Sequence, residues 1–360
     1  MTDFFSMRVS EVRRETAESV SLKLEGDHMT WAEFEHFQPG QYLTLRTDID
    51  GQDVRRSYSI CSAPHEGELR VGIKEVPGGT FSTFANQVLQ AGDELQVMPP
   101  MGRFVLPEQM EAGDHFVGLA AGSGITPVMS QIKHILHTHA DVTVTLFYVN
   151  KTSASVMFKE ELQLLKDRYL NRFRLFHLLT REPVEAELFS GRLDEDRCAR
   201  ICASDLLDVS SISGAYLCGP EEMIQGCTRA LSNAGLAEDR IHFELFHAAQ
   251  SVSKAATKAS QESDSKAGIP VQIVLDGITT TVEITGEKTL MDAALDAGLD
   301  APYSCLGGVC CTCRAKMVSG KARMDVNYAL EPDEVAAGFV LTCQSHPEGE
   351  GPFVVDFDQQ

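Results

Sequence analysis

Cys305-Leu306-Gly307-Gly308-Val309-Cys310-Cys311-Thr312-Cys313 is the stretch that decides how this chain is interpreted, and Cys343 lies alone further on. Cys305, Cys310 and Cys313 are spaced C-x4-C-x2-C, which together with one distant cysteine is the ligand pattern of a plant-type [2Fe–2S] cluster. Two adjacent glycines let the backbone wrap closely around such a cluster, and its N–H groups stabilise the negative charge on sulfur. The sequence therefore predicts a one-electron carrier.

Clustered cysteines have two other common uses. A structural zinc site usually shows two C-x2–4-C pairs, whereas this chain has three clustered cysteines and one distant one. A disulfide framework belongs to small secreted chains. Cys311 departs from the cluster pattern because a small residue without a thiol is usual there. We expect Cys311 to pack as a small side chain, with Cys310 as the ligand.

The overall composition is typical of a folded protein of several domains with a charged surface. The 360 residues carry a net charge of −21 and ten cysteines, and no apolar run is long enough to span a membrane. The N-terminus has no signal-peptide pattern, so we expect a reducing compartment and a cytoplasmic location. The acidic surface argues against nucleic acid as a partner, and we expect no membrane partner either.

The first two segments differ in the spacing of their apolar residues along the chain. Residues 1–110 contain short β-rich runs separated by Gly, Pro and Asp, with one helix near 82–89, which predicts a small antiparallel barrel. In residues 111–247, five strand-like runs alternate with four helical ones, which are expected at 127–137, 157–169, 196–206 and 221–234. That alternation predicts a parallel five-stranded sheet covered on both faces.

Residues 248–268 are rich in Ala, Ser, Lys and Gln, which is typical of a flexible linker. Residues 269–360 then form a third domain, in which a hairpin and a helix precede the cysteine loop. We expect an α+β domain of the β-grasp type. It contains 14 acidic and 5 basic residues, so its charge serves either solubility or steering towards a basic acceptor.

One strand of the barrel segment carries several side chains suited to binding a ligand. Arg56-Ser57-Tyr58-Ser59-Ile60-Cys61-Ser62 places a flat polar-tipped ring, a hydroxyl and a guanidinium close together on one strand. Further along, Gly78-Gly79-Thr80-Phe81-Ser82-Thr83 opens a helix, where free amides can bind phosphate and Ser82 or Thr83 can cap. Either string alone could be an ordinary strand or helix start, but together they favour a flavin nucleotide.

At this point the chain resembles the ferredoxin–NADP reductase superfamily, in particular its members with a C-terminal plant-type ferredoxin domain. The resemblance implies that FAD is held by Arg56, Tyr58 and Ser59 on the strand, with Ser59 near flavin N5. It also implies that FAD is held at the helix start, by a set that comprises Gly78, Gly79, Phe81, Ser82 and Thr83.

A second glycine-rich loop follows the first strand of the parallel sheet. Ala120-Ala121-Gly122-Ser123-Gly124-Ile125-Thr126-Pro127 lacks the G-x-G-x-x-G fingerprint but supplies two glycines and a proline suited to a first helical turn. In the family that it resembles, this loop holds the NAD(P) pyrophosphate through Gly122, Gly124, Thr126 and Pro127. A glycine-rich loop alone would be a weak signal; its place between strand and helix strengthens it.

The ends of two later strands carry further family strings. Cys218-Gly219-Pro220 ends the fourth strand, where ligands of open parallel sheets bind. The resemblance implies that Cys218 faces the nicotinamide, and that Glu244 and Phe246 lie near the flavin. It therefore implies a reaction centre made of Tyr58, Ser59, Cys218 and Glu244. Packing in the core is the alternative for Cys218, and for the other strand and helix cysteines we expect packing alone.

The prediction of the coenzyme, NADPH or NADH, depends on two basic residues. The second strand is followed by Asn150-Lys151-Thr152, without an acidic residue for the 2′-hydroxyl of NAD, and Arg181 follows the third strand. Relatives can grip a 2′-phosphate there, so we expect NADPH to be preferred over NADH. The alternative is that both cations are simply solvated.

The expected reaction is electron transfer from NADPH to FAD, then to the [2Fe–2S] cluster, then to an oxygenase. Longer strings, including Asn327-Tyr328-Ala329-Leu330-Glu331-Pro332, resemble the reductase components of phenylacetyl-CoA epoxidases. That resemblance implies a di-iron oxygenase as the electron acceptor. The acceptor could instead be a ketosteroid hydroxylase, an acyl-CoA desaturase, an alkane hydroxylase or a hybrid-cluster protein. A zinc-bearing binding module without redox chemistry is the alternative from a different class.

Overall fold

The computed structural model describes residues 4–246 and 268–359. The predicted linker, 248–268, lies outside the described residues apart from Gly268. Two compact units are present, one of residues 4–54 and 58–246, the other of the C-terminal residues together with Arg55–Ser57. Within the described ranges, no helix is long and apolar enough to cross a membrane.

The first unit begins with a six-stranded antiparallel sheet in the order β4-β3-β6-β1-β2-β5. Its apolar residues alternate along the strands, as in β6, so one face is buried. A bridge between Ile60 and Val71, at the two outer strands, closes the sheet into a barrel. The elements are β1 Phe5–Thr16, β2 Ser19–Glu25, α1 His28–Trp31, β3 Tyr42–Ile49, β4 Gln52–Ser59, β5 Leu69–Lys74, α2 Thr80–Gln87 and β6 Glu94–Val97.

A five-stranded parallel sheet completes this unit, with strand order β11-β10-β7-β8-β9. Strands β7 and β8 are nearly continuous apolar runs because helices cover both faces. The chain order reverses between β7 and β10, and ligands of such sheets bind at that point. The elements are β7 His115–Ala121, α3 Ile125–Thr138, β8 Thr143–Asn150, α4 Lys159–Arg168, β9 Phe173–Leu179, α5 Glu195–Cys202, β10 Ile212–Gly219, α6 Glu221–Asn233 and β11 Ile241–Leu245.

The second unit has a mixed five-stranded sheet in the order β13-β12-β18-β14-β16, with a separate β15–β17 pair. Strands β12 and β18 run parallel and the other neighbours antiparallel. The elements are β12 Ile269–Leu275, β13 Ile278–Ile284, α7 Leu290–Asp296, β14 Arg314–Ser319, β15 Lys321–Met324, α8 Pro332–Ala336, β16 Phe339–Leu341, β17 Ser345–Glu348 and β18 Phe353–Asp356. The predicted fold class, a barrel, a parallel sheet and an α+β domain, is confirmed; the domain boundaries stay a prediction.

Candidate active site and cluster-binding loop

Three of the four predicted catalytic side chains meet at the carboxyl ends of β10 and β11. Cys218 and Glu244 are directly paired in the parallel register of these strands, which places their side chains on one face. The hydroxyl of Ser59, at the end of β4 in the barrel, donates to Glu244 Oε2 at 3.2 Å. The structure thus brings a hydroxyl, a carboxyl and a thiol together between barrel and sheet.

The electrostatics of this group favour neutral side chains. Burial raises the pKa of the Glu244 carboxyl to about 8, and the hydrogen bond from Ser59 opposes that rise. Burial, with a smaller contribution from Glu244, also raises the pKa of the Cys218 thiol well above its usual range. At neutral pH the centre therefore holds a protonated carboxyl beside an uncharged thiol.

Glu244→Gln should remove a pH dependence of stability. The pKa of Glu244 is about 8 in the folded protein and near 4.3 in an unfolded chain. The stability that this group contributes to the wild type is therefore fully present below about pH 4.3 and is lost as the pH rises to 8. The amide does not titrate, so the variant should gain melting temperature relative to wild type between pH 5 and pH 8.5. Thermal melts across this range test it. Glu222→Gln, at a side chain 91% exposed, is the control and should show no such gain.

The glycine loop is fitted tightly against the same strand end. Gly122–Gly124 form one 3-10 turn and Gly122 has φ +55°, which suits glycine. A methyl group on Gly124 would lie 2.1 Å from the carbonyl oxygen of Cys218. The glycine loop and the backbone of Cys218 are therefore in direct van der Waals contact. Thr126, almost fully buried, donates from Oγ1 to Ser123 O at 3.0 Å, and Pro127 lies in the first turn of α3.

The Cys218-Gly219-Pro220 string is also held by close packing. A methyl group on Gly219 would lie 3.0 Å from Cβ of Ala121 and 2.7 Å from Cε of Met223. Pro220 is exposed and is the N-cap of α6. A side chain at 219 would therefore require Met223 and Ala121 to shift.

Two of the predicted flavin residues, Tyr58 and Phe81, pack against each other and form a barrel strip. The Tyr58 ring lies 5.5 Å from the ring of Phe81, which is itself 1% exposed and so supports Tyr58 from the core. Arg56 is half-buried on the same strand as Tyr58, and its Nη1 donates to the carbonyl oxygen of Arg55 at 2.7 Å. A flat ring with one half-buried face fits a stacking surface for a flavin.

The start of α2 differs from the expected capped helix. The N-cap is Gly79, which has no side chain, and Ser82 Oγ instead accepts from the N–H of Val76 at 3.1 Å and donates to Gly79 O. Neither Ser82 nor Thr83 caps, because Ser82 is turned back into the preceding turn. Gly78 has φ +76° and open space around it, so this turn offers unobstructed backbone to a phosphate.

Lys151 and Arg181 lie side by side at the ends of β8 and β9. Arg181 N–H donates to Lys151 O at 2.8 Å, and both side chains are exposed. Beside them the Glu182 carboxylate accepts from the N–H of Ser153 at 2.7 Å and from its hydroxyl at 3.1 Å. Glu182 was not predicted from the sequence, because its meeting with Ser153 depends on the β8–β9 pairing.

Lys74, at the end of β5, is a second residue that was not predicted from the sequence. Its ammonium would lie 3.8 Å from a methyl group on Gly122. Burial and the charge of Lys151 lower the pKa of Lys74, while Glu18 opposes the fall. An anion bound at the glycine loop would relieve this repulsion. No sequence signal separates Lys74 from a surface lysine, because its position depends on how barrel and sheet pack.

Four cysteines converge in the second unit. Cys310 Sγ donates to Cys305 Sγ at 3.1 Å, and the thiol of Cys343 contacts those of Cys305 and Cys313. Leu306 and Gly308 have positive φ, +51° and +73°, so the backbone wraps around the thiols. The amide N–H of Gly307 points at Cys305 Sγ, 3.4 Å away. Four thiols with backbone donors fit the ligand set of a [2Fe–2S] cluster.

The Cys311 thiol donates to the carbonyl oxygen of Ala329 at 3.3 Å. The residue is partly exposed. This arrangement supports Cys310 as the ligand, and the assignment of the ligand set remains a proposal.

Together, the barrel strip, the parallel-sheet loop and the four-thiol loop define a flavin- and iron–sulfur-dependent NAD(P)H oxidoreductase. Three family models match: an oxidoreductase FAD-binding domain at 8–106, an oxidoreductase NAD-binding domain at 119–229 and a 2Fe-2S iron-sulfur cluster binding domain at 273–348. The predicted cofactors FAD, [2Fe–2S] and NAD(P)H are confirmed at this level.

The chain is 37% identical to one of the subunits of 1,2-phenylacetyl-CoA epoxidase from Escherichia coli (strain K12), over 99% of both chains. It is 34% identical to the ferredoxin reductase component of 3-ketosteroid-9-alpha-monooxygenase from Mycobacterium tuberculosis (strain ATCC 25618 / H37Rv), over 87% of this chain and 84% of that one. This chain therefore belongs to the ferredoxin–NADP reductase superfamily, among members with a C-terminal 2Fe–2S domain.

Solved structures agree on the fold. Phthalate dioxygenase reductase matches with a TM-score of 0.60 and 21% identity over 98% of both chains. An intact type IV self-sufficient cytochrome P450 monooxygenase matches with a TM-score of 0.68 and 21% identity. This match covers 98% of this chain and 41% of that chain.

Proposed function

We propose that this chain is the reductase of a phenylacetyl-CoA epoxidase, taking electrons from NADPH and delivering them to a di-iron oxygenase. The observation that carries the proposal is the 37% identity to the Escherichia coli epoxidase protein over 99% of both chains. The meeting of Ser59, Glu244 and Cys218 supports a hydride-transfer centre at the barrel–sheet junction.

FAD, when bound, can accept a hydride and release electrons singly, and a [2Fe–2S] cluster carries one electron at a time. The chain's own residues supply position and a neutral setting. Tyr58 offers a ring face, and Ser59 and Glu244 hold a proton between their oxygens at neutral pH. Cys218, uncharged and fully buried, excludes water from the end of β10.

The test uses holoprotein purified without oxygen. NADPH should bleach both the flavin bands and the broad iron–sulfur absorption, and adding oxygenase, phenylacetyl-CoA and O2 should couple NADPH oxidation to conversion of phenylacetyl-CoA into its ring epoxide, with the thioester intact. A protein that reduces ferricyanide but never the oxygenase would overturn the proposed acceptor. A colourless protein would overturn the whole proposal and favour the zinc-bearing alternative.

A second acceptor is favoured by the 34% identity to a 3-ketosteroid monooxygenase reductase component. The same assay with a ketosteroid oxygenase discriminates between the two. Coupled turnover with that oxygenase alone would assign the chain to it.

Lys151→Ala should lower kcat/KM for NADPH about tenfold, because a charge-assisted hydrogen bond to the 2′-phosphate contributes about 1.5 kcal/mol. The value for NADH should not change, since that coenzyme has no 2′-phosphate. Steady-state kinetics with both coenzymes measure the difference. Lys159→Ala, another exposed lysine in the same sheet domain, is the control.

Equal losses with both coenzymes would contradict the role of Lys151. A wild-type preference for NADH would contradict the expected coenzyme itself, and would point to Glu182 as the group that repels a 2′-phosphate.

A further inference from the structure

A buried tyrosine lies directly beneath the glycine loop. Tyr148, on β8, is 0% exposed, and its hydroxyl donates to the carbonyl oxygen of Gly122 at 2.9 Å. The ring is fixed by packing and lies 6.0 Å from the ring of His177 on β9. A hydroxyl carried on a central strand can move little, so the hydrogen bond fixes the loop rather than the tyrosine.

This hydrogen bond sets the direction of a backbone donor. Gly122 O and the N–H of Ser123 belong to one planar trans peptide and point in opposite directions. When Tyr148 draws the carbonyl of Gly122 towards the sheet, the Ser123 N–H is turned away from the sheet. Gly122 at φ +55° and Gly124 against Cys218 O hold the turn on either side. A backbone N–H held in this way is a ready donor to a phosphate oxygen.

Asn150, two residues further on the same strand, completes the arrangement. It is 4% exposed, and its amide lies close enough to Tyr148 to oppose the rise in the tyrosine's pKa that burial causes. Yet within residues 4–246 and 268–359 its Nδ2 reaches no hydrogen-bond partner. A buried amide without a partner costs about 1–3 kcal/mol, so a state in which Nδ2 donates to the Tyr148 oxygen is favoured.

We propose that Tyr148 and Asn150 are positioning residues for the coenzyme: Tyr148 turns the Ser123 N–H towards the pyrophosphate, and Asn150 holds the Tyr148 oxygen in place. The inference rests on the proposed role of the Gly122 loop in NAD(P) binding. Neither side chain touches the coenzyme; both act through the loop.

Tyr148→Phe tests this with the ring retained and only the hydroxyl removed. The dissociation constant of holoprotein for ADP-ribose, which contains the pyrophosphate, should rise about 2- to 13-fold, the effect of one lost hydrogen bond. kcat at saturating NADPH should stay within about twofold, because the lost hydroxyl acts on the Ser123 N–H and leaves the packing of Gly124 against Cys218 in place. Flavin reduction by reduced nicotinamide mononucleotide, which has no pyrophosphate, should not change.

Tyr216→Phe is a matched control. Tyr216, 3% exposed on β10 of the same sheet, also donates to a backbone carbonyl, that of Val105, at 3.4 Å. It should cost stability without changing affinity for ADP-ribose. Equal affinity losses in both variants, or none in Tyr148→Phe, would overturn the proposal.

Asn150→Leu, which keeps the size and removes the amide, gives a second route should Tyr148→Phe fold poorly. It should weaken ADP-ribose binding while leaving reduction by the mononucleotide intact, and equal losses with both would show a purely structural role. Wild-type protein that fails to be reduced by NADPH would refute the proposed function instead. A wild type that is reduced, with variants that bind normally, would refute only this inference.

Discussion

Cys310→Ser should abolish electron delivery to the oxygenase while leaving NADPH-dependent ferricyanide reduction within about twofold of wild type. The Cys310 thiol lies 3.1 Å from the Cys305 thiol in the four-thiol group. Even the loss of a residue that only hydrogen-bonds to a metal ligand lowers metal affinity about 10- to 100-fold. We therefore expect a loss of more than about 100-fold in oxygenase turnover. Ferricyanide can take electrons before the cluster, so that activity reports on the barrel and the parallel sheet alone.

Cys311→Ser is the control for this experiment. Its thiol donates to a backbone carbonyl, Ala329 O, so the variant should keep the cluster's visible absorption and its turnover. The ligand assignment fails if Cys311→Ser loses the cluster while Cys310→Ser retains it. Iron content and the visible spectrum of each purified variant decide between these results.

Gly124→Ala should slow flavin reduction by NAD(P)H about 100-fold or more. The added methyl group would lie 2.1 Å from Cys218 O, so either the loop or the end of β10 must move. A displacement of about 1 Å at a reaction centre can cost about 100-fold in rate. Stopped-flow measurement of flavin bleaching gives this rate directly, separate from any effect on later electron transfer.

Gly235→Ala controls for backbone strain. Gly235, in the same parallel-sheet domain, has φ +102° but open space around it, so alanine there costs stability without a steric clash. It should lower the melting temperature and leave the rate of flavin reduction unchanged. A similar rate loss in both variants would mean that Gly124 acts through stability alone.

The sequence predicted most elements of the first unit because their apolar periods are clear, yet two helix ends differ. Helix α4 was expected from residue 157 but begins at Lys159, because Phe158 adopts a left-handed φ of +55° that no helix continues through. Helix α5 was expected to reach residue 206 but ends at Cys202. Ser204 forms local hydrogen bonds with Ile201 and Leu206 that replace the helical pattern. Such local competition does not appear in an apolar pattern.

The functional site, too, could be predicted only in part from the sequence. The strings carrying Ser59, Cys218 and Glu244 could be picked out from the sequence, since each has a distinctive composition and position. Their direct contacts could not, because Ser59 and Glu244 are 185 positions apart and meet only through packing. Glu182 was missed for the same reason. The strands after the cysteine loop were not predicted either, because β16 and β17 have only three and four residues.

The closure of the barrel has a consequence for hydrogen exchange. The N–H of Ile60 donates to Gln41 O and the N–H of Cys61 to Arg70 O, both at 2.8 Å, so the strand end that carries Ser59 has neighbours on both sides. Amides paired on both sides in this way open less readily than those of a strand end with a free edge, so they should exchange more slowly. The hydroxyl aimed at Glu244 is therefore carried by a strand end that its two neighbours restrain from local opening.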